Sequence, residues 1–475
     1  IKKRLFYTLA LSLLFIACEK SLTEEPKQIS VENFYTTPSE VEAAVNAIYT
    51  PLRNDLMSNY IATLECQSDW MYGRGSWAPL SNFQGLDDAN INRVEGFWNS
   101  FYLTIRNANL VVRNSPTGAE YDALIAEAKF LRAFSYFQLV RNWAGVPLRT
   151  EQNMDEKDLA RSAPEQIYQL IEEDLIVASD LLPESAPVSG RPTKWAARTL
   201  LADVYLQLGR YGEAADNASQ VIQSSFSLVN VSTKEDFQYK VFGPDIVSSS
   251  EEIFALKYAR LPGQGNYILW IANHPSTKLF TADGTGAYAV HGDATNSNYV
   301  QWNDQDLRKQ LWDKIDFGLG PNTLVSSKYV DPDALDRTTA GNDLPIYRLS
   351  DVLLIYAEAS TNHSKSISAE TMEALNKVHR RAYGFAPDAP SAVDYKIADY
   401  TVDSFIDLIM LERGYEFIYE GKRWLDLKRS GKLNDYVERA KGKLVVEKHL
   451  LWPIPLSETN YNNAIDPVTD QNPGY

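Results

Sequence analysis

Apolar residues recur along this chain at helical spacing, in segments separated by proline, glycine and polar runs. The first segment begins near Ser39 with an acidic first turn, and Val41, Ala44, Val45 and Ile48 share one face. Pro51 bends or ends it. Further helices are predicted at 94–114, 119–142, 163–182, 192–208, 211–223, 346–361, 369–383 and 401–420. The pattern therefore predicts a mainly α-helical protein.

One stretch, 193–222, has the pattern of a tetratricopeptide helix pair. Its small and large apolar positions fall in the expected order, at Leu201, Ala202, Tyr205, Gly209, Tyr211, Ala214, Ala218 and Val221. Small residues let the two helices approach, and large ones fill the gap to the next pair. Because one pair cannot bury its apolar faces alone, we expect the neighbouring helices to supply further, degenerate pairs.

The segment 224–345 interrupts this helical pattern. It is rich in Gly, Asn, Asp, Ser and Pro, and a short alternating strand is predicted at Ile253–Tyr258. Loops this long inside a compact protein usually carry function. We therefore expect a helical segment at 37–223, an irregular insert at 224–345 as the candidate ligand-binding region, and a second helical segment with an irregular tail at 346–475.

The first residues have the pattern of an export signal. Three cations, Lys2, Lys3 and Arg4, precede an apolar run that ends at Ala17 and is too short to span a bilayer. Cys18 follows directly, a context similar to a bacterial lipobox. We expect a lipoprotein signal peptide at 1–17, lipidation of Cys18, a tether at 18–36 and membrane attachment through the lipid alone. An ordinary signal peptide with an incidental cysteine is the alternative.

Composition and charge narrow the classes of protein. Of the 475 residues, 44% are hydrophobic and 23% are charged, as in a folded globular protein. The net charge is −16, and it becomes −19 once the three signal cations are removed. Such a surface repels phosphate backbones, so we expect no nucleic-acid binding. If Cys18 is acylated, Cys66 is the only remaining thiol and no intrachain disulfide forms.

Four separated segments resemble one family, the SusD/RagB-type nutrient-binding outer-membrane lipoproteins. They are SVENFYTTPSEVEAAVNAIYTPL near the N-terminus, AEAKFLRAFSYFQLVRNWAGVPLRT at 126–150, LPIYRLSDVLLIYAEA at 344–359 with ALNKVHRRA after it, and ERGYEFIYEGKRWLDLKRSG at 412–431 with LWPIPLSETNYN towards the end. The segments cover both ends and much of the middle of the chain, in family order.

The resemblance implies a SusD-like fold, in which tetratricopeptide-like helix pairs form the body and an irregular region carries the ligand site. It also implies a lipid-anchored protein of the outer membrane, facing outside, that captures glycan oligosaccharides for uptake through a SusC-type TonB-dependent barrel. An oligopeptide-binding lipoprotein of the RagB type and a non-transport tetratricopeptide-like interaction scaffold are the alternatives.

Aromatic side chains in irregular stretches give the candidate ligand site. Trp70, Tyr72 and Trp77 lie in SDWMYGRGSWAPL, where glycines and Pro79 exclude a regular helix. The insert contributes Trp270, Tyr288 and Trp302, and the polar partners are Asp69, Arg74 and Asn303. Such rings stack on sugars, but they could equally plug a loop onto the body. If they bind, we expect the clusters 69–77 and 266–312 to share one face in a shallow, preformed site.

Catalytic and metal motifs are missing from the sequence. There is no G-x-S-x-G elbow and no P-loop. The five histidines, His274, His291, His363, His379 and His449, lack the spacing of a zinc site. We therefore expect a protein that is not an enzyme and that uses no metal and no cofactor.

Three glutamates, Glu412, Glu416 and Glu420, recur four residues apart on one predicted helix. Paired carboxylates of this kind can serve acid–base catalysis. Three cations lie within one turn of them, namely Arg413, Lys422 and Arg423. We interpret the stripe as an internal ion-pair network that ties the helix to its neighbours.

Overall fold

The computed structural model describes residues 34–53, 55–274, 289–316, 318–336 and 338–475. Its helices are α1 (Pro38–Tyr49), α2 (Leu56–Gln67), α3 (Ala78–Ser81), α4 (Asp88–Asn114), α5 (Ala119–Trp143), α6 (Pro164–Leu181), α7 (Lys194–Gln207), α8 (Tyr211–Ile222), α9 (Lys234–Asp236), α10 (Ile268–Ala272), α11 (Ser297–Gln301), α12 (Leu349–Ser364), α13 (Ala369–Ala382), α14 (Val402–Glu416), α15 (Arg423–Arg429), α16 (Leu433–Lys441) and α17 (Leu456–Tyr461). The protein is mainly α-helical, as predicted.

Helix boundaries follow local chemistry. Thr37 caps α1, since its hydroxyl accepts from the Glu40 amide at 3.4 Å and the Glu40 carboxylate accepts from the Thr37 amide at 2.9 Å. This reciprocal box satisfies two amides that the helix leaves free, and Pro38 fits the first turn because it has no amide to leave unpaired. The first predicted helix is therefore confirmed.

Consecutive helices pack side by side in an array. Contacts run from α4 to α5, α6, α7 and α8 in chain order, and α8 then packs against α12, which packs against α13. The α7–α8 pair is the predicted tetratricopeptide-like unit. Its partner α12 lies beyond the insert in sequence, so the insert leaves the helical array and the array resumes after it.

Short strands bind the irregular segments to this body. They are β1 (Tyr72–Gly73), β2 (Val146–Pro147), β3 (Arg161–Ser162), β4 (Glu252–Leu256), β5 (Val290–Asp293), β6 (Trp312–Lys314), β7 (Thr323–Ser326) and β8 (Leu344–Arg348). One sheet has the order β1-β5-β7-β6, and β2–β3 and β4–β8 form antiparallel pairs. The predicted strand at 253–258 corresponds to β4, paired with the residues that enter α12.

The glutamate stripe at the end of α14 is buried in an ion-pair network. Arg348 contacts Glu416 at 2.8 Å and Glu420 at 2.7 Å, and Arg308 contacts Glu416 at 3.0 Å. Burial alone would raise the pKa of Glu416, but Arg381, Arg348 and Arg308 hold it far below its usual range. The predicted network is confirmed, and it joins the insert, α12, α13 and α14.

The cations that the sequence assigned to this network belong to other pairs. Arg413 contacts Asp426 at 2.8 Å, Lys422 contacts Asp351 at 3.4 Å and Arg423 contacts Asp69 at 2.7 Å. They lie close to the glutamates in sequence but face other elements, so chain proximity pointed to the wrong partners.

Within the described part of the chain, no helix has both the length and the apolar character that crossing a bilayer requires. The expected signal peptide and Cys18 fall outside the described residues. The division into segments at 37–223, 224–345 and 346–475 stays a prediction.

Candidate functional site

The two loop clusters singled out in the sequence meet in the folded chain. Strand β1 pairs antiparallel with β5, so that Tyr72 lies opposite His291. The side chain of Asn296 donates to the carbonyl of Asp69 at 2.9 Å and to the Tyr72 hydroxyl at 3.2 Å. The loop after α2 and the insert are therefore in direct contact.

Asp69 anchors this loop from inside the protein. Its carboxylate accepts from Nε and Nη2 of Arg423, both at 2.7 Å, and from the Asn298 amide at 2.9 Å. Burial alone would raise the pKa of Asp69, but the Arg423 guanidinium holds it below its usual value. Asp69 is fully buried, so it supports the loop and is not exposed to a ligand.

Trp70 and Trp302 lie beneath the surface rather than on it. Their side chains are 4% and 3% exposed, and their ring centres are 5.4 Å apart. Both rings also pack on Tyr415 of α14. The sequence offered two interpretations for such rings, and here they plug the loop onto the helical body. Neither presents a free face on which a sugar could stack.

The remaining predicted tryptophans are also covered. Trp77 is 8% exposed, and the guanidinium of Arg93 lies 3.9 Å from its ring centre. Trp270, in the short helix α10, is 1% exposed. The expectation of four exposed tryptophan platforms is therefore not what the fold forms, because large apolar rings gain most from burial. Tyr288 lies outside the described residues.

Tyr72, which is half-buried, is the least buried aromatic residue of the 69–77 loop. It stacks on the His291 imidazole, with centres 5.9 Å apart and planes 24° apart. Arg74 follows with an exposed side chain, and its amide donates to the Ala289 carbonyl at 2.9 Å. Asp293, at the end of β5, is half-buried. Burial and the positive charge of Arg74 lower the pKa of His274, so this half-buried histidine lies near Arg74. We call Tyr72, Arg74, His274, His291 and Asp293 the Tyr72 surface.

Charges around His291 favour its neutral form. Burial lowers the pKa of His291, and the positive charges of Lys441 and Arg74 lower it further, against the opposing pull of Asp293. The Nδ1–H of the neutral imidazole donates to the Gly292 carbonyl at 3.0 Å, which leaves Nε2 as an acceptor suited to a hydroxyl group. The sequence identified His291 only as a histidine outside any zinc motif, since its partner Tyr72 is distant along the chain.

Lys441, the last residue of α16, holds the loop from below. Its amine donates to the carbonyls of Cys66 and Met71, and it lies 4.9 Å from the centre of the Tyr72 ring. Burial lowers the pKa of this amine to about 8. The Lys441 amine therefore links residues 66 and 71 of the loop and contacts the ring of Tyr72. Sequence reasoning missed this residue because α16 was not predicted.

Asn303 lies at the rim of the insert. The residue is exposed, its Oδ1 accepts from the Gln305 amide at 2.9 Å, and its side chain also hydrogen-bonds to Tyr383. It directly follows Trp302, whose ring is packed beneath the loop. A ligand-binding role for Asn303, Tyr72 and Arg74 stays a prediction.

The Tyr72 surface brings an aromatic ring together with polar and charged side chains. It offers one aromatic face, an arginine, two histidines and a carboxylate on a shallow surface over a rigid base. Among the described residues, no group of three His, Cys, Asp or Glu side chains is placed to hold a metal ion.

Comparison with known proteins places this fold. A family model described as the SusD family matches residues 277–475, and a second, described as "Starch-binding associating with outer membrane", matches residues 22–206. The helical array and these matches define a protein of the SusD superfamily. The chain belongs to the SusD/RagB family.

Full-length relatives support this assignment. SusD-like protein P2 of Formosa agariphila is 26% identical, with 100% of both chains covered. The crystal structure of a SusD homologue from Bacteroides thetaiotaomicron has a TM-score of 0.80 at 21% identity, covering 96% of this chain and 100% of that one. A laminarin-binding SusD-like protein has a TM-score of 0.72 at 22% identity, covering 92% and 99%. The two structures establish the fold alone.

Proposed function

We propose that this protein binds glycan oligosaccharides, without catalysis, on the Tyr72 surface. The observation that carries the proposal is the half-buried Tyr72–His291 stack, set among hydrogen-bonding side chains on a buried base. Aromatic faces pack on the apolar faces of sugar rings, while arginine, histidine and carboxylate groups bind hydroxyls. The description of the family model matching residues 22–206 names starch binding, which agrees with this chemistry.

We further propose that the protein is lipid-anchored at Cys18, displayed on the outer membrane, and passes its glycan to a SusC-type TonB-dependent barrel. Support comes from the lipobox-like context of Cys18 and from the outer-membrane association named in the same family description. After mild detergent extraction, we expect a large barrel protein to co-purify with this chain. We also expect the Cys18→Ala variant to lose its association with the membrane.

The binding proposal is tested with a panel of neutral, uronate-bearing and sulfated polysaccharides, with laminarin and starch among the neutral ones. Affinity electrophoresis finds the binder, and calorimetry gives the dissociation constant. We expect Tyr72→Ala to weaken binding about tenfold, since stacking contributes roughly 0.5–1.5 kcal/mol beyond the buried area. Arg74→Ala should weaken it as well.

Tyr239 provides the matched control. It is 51% exposed on the turn at Phe237–Val241 and belongs to no part of the Tyr72 surface, so Tyr239→Ala should bind like the parent. If no polysaccharide in the panel binds, the glycan proposal is wrong. Oligopeptide binding by the parent protein, weakened by Tyr72→Ala but not by Tyr239→Ala, would then identify the RagB-type alternative.

A further inference from the structure

A groove of about 540 Å³ runs between the turn at 50–56 and the outer face of α4. This volume lies within the roughly 300–1,000 Å³ of sites that hold small ligands. Its apolar walls include Pro51, Leu56 and Leu103, and its polar walls include Asn59, Asn92 and the acidic Asp55. Neither the Tyr72 surface nor the ion-pair network uses these residues.

Arg53 lines the groove, and its Nε is buried without a hydrogen-bond partner among the described residues. The guanidinium lies over the Tyr258 ring, 5.3 Å from the ring centre, which holds it in place. A positioned arginine with an unpartnered donor matches an oxygen of a carboxylate or sulfate group.

Gly96 lines the groove and, because it has no side chain, leaves space there. It lies in the middle of α4, is exposed, and a side chain added there would meet no atom within 4 Å. Glycine inside an exposed helix destabilises a protein relative to alanine, and here no crowding explains its presence. A ligand that approaches the helix backbone closely would explain it.

The groove is continuous with the loop that carries Tyr72. Arg93 lines the groove, covers the ring of Trp77 and donates to the carbonyl of Ser76 at 3.3 Å and to its hydroxyl at 2.6 Å. One side chain therefore belongs to both walls. Arg93 thus places residues 76–77 of the loop that carries Tyr72 beside the groove.

We propose that the groove is a second subsite, in which Arg53 binds an anionic group, carboxylate or sulfate, on a glycan that extends from the Tyr72 surface. This inference rests on the function proposed above and adds the class of sugar. The acidic surface of the protein, with a net charge of −16, does not prevent this, because salt at physiological strength screens charges beyond about 8 Å.

Two variants test the subsite in the full chain, with the same polysaccharide panel. Arg53→Gln removes the charge and should weaken binding of a uronate-bearing or sulfated chain at least tenfold, as expected for a lost charged hydrogen-bonding pair. Gly96→Gln should weaken it similarly by filling the groove, while leaving the melting temperature unchanged or higher. Arg106→Gln is the control, because Arg106 is exposed on α4 outside the groove.

Each outcome separates the two proposals. An anionic binder that loses affinity in both variants but not in Arg106→Gln supports the subsite, and the uronate and sulfate arms identify the group. Binders that are all neutral, or that bind both variants like the parent, overturn the subsite and leave the Tyr72 surface intact. A panel without any binder overturns both.

Discussion

The indole of Trp302 lies flat against the ring of Tyr415, with ring centres 4.3 Å apart and planes 8° apart. Trp70 packs its edge on both, at 5.4 Å and 5.6 Å. The three rings come from the insert, from α14 and from the loop after α2. They join three distant parts of the chain directly below the surface that carries Tyr72, so the proposed binding loop is built on a rigid aromatic base.

Trp302→Ala should therefore destabilise the whole protein. Loss of a buried tryptophan leaves a cavity, and we expect the free energy of unfolding to fall by about 3–5 kcal/mol. Chemical denaturation measures this loss. Trp195→Ala is the control and should cost less, since Trp195 is half-buried. A Trp302→Ala protein with parental stability but no glycan binding would restore this ring as a ligand platform.

Lys441→Met should loosen the Tyr72 loop. The change removes the amine that bridges the carbonyls of Cys66 and Met71. Leaving buried acceptors unpaired costs about 1–3 kcal/mol, so we expect a lower melting temperature and faster hydrogen exchange at 66–73. Lys432→Met, at the residue that precedes the same helix, removes the ion pair with Asp407 and should leave that exchange unchanged. Equal exchange in both variants would contradict this role.

Glu65 should make stability depend on pH. Burial raises the pKa of Glu65 to about 7, from an ordinary value of 4.5. The contribution of Glu65 to the free energy of unfolding is therefore fully present below pH 4.5. It is lost as the pH rises through 7, by about 3 kcal/mol in total. Glu65→Gln mimics the protonated form, so its stability relative to the parent should increase over this range. Denaturation curves at pH 4.5 and pH 8 that show a constant difference would disprove the shift.

Ala144→Gly should stabilise the protein. Ala144, after α5, has φ 59° and ψ −123°, a conformation that a Cβ atom disfavours and glycine adopts freely. The strain energy relieved should exceed the free-energy cost of the entropy that glycine adds to the unfolded chain. We therefore expect the free energy of unfolding to rise by about 1 kcal/mol. Ala123→Gly, at an exposed helical position in α5, should instead cost about 1 kcal/mol. Equal losses at both positions would show that Ala144 is unstrained.

The hydrophobic pattern predicted most of the long helices, including α5, which is buried over most of its length, but it missed α2 and several short helices. The predicted helices at 119–142, 192–208 and 369–383 correspond to α5, α7 and α13 within a few residues. Helix α2 escaped prediction because ten of its twelve residues are buried, which removes the polar stripe that marks a helix in sequence. Helices α15 and α16 are short and contribute few repeats of the pattern.

By itself the sequence determined the helices, the α7–α8 pair, the family and the loops that carry the candidate site. These depend on periodicity, capping and turn residues, which act within a few positions along the chain. The tertiary structure alone decided that Trp70 is buried while Tyr72, two residues later, is half-exposed. That choice depends on contacts such as Asp69 with Arg423, 354 residues away, and a local pattern contains no information about a partner so distant.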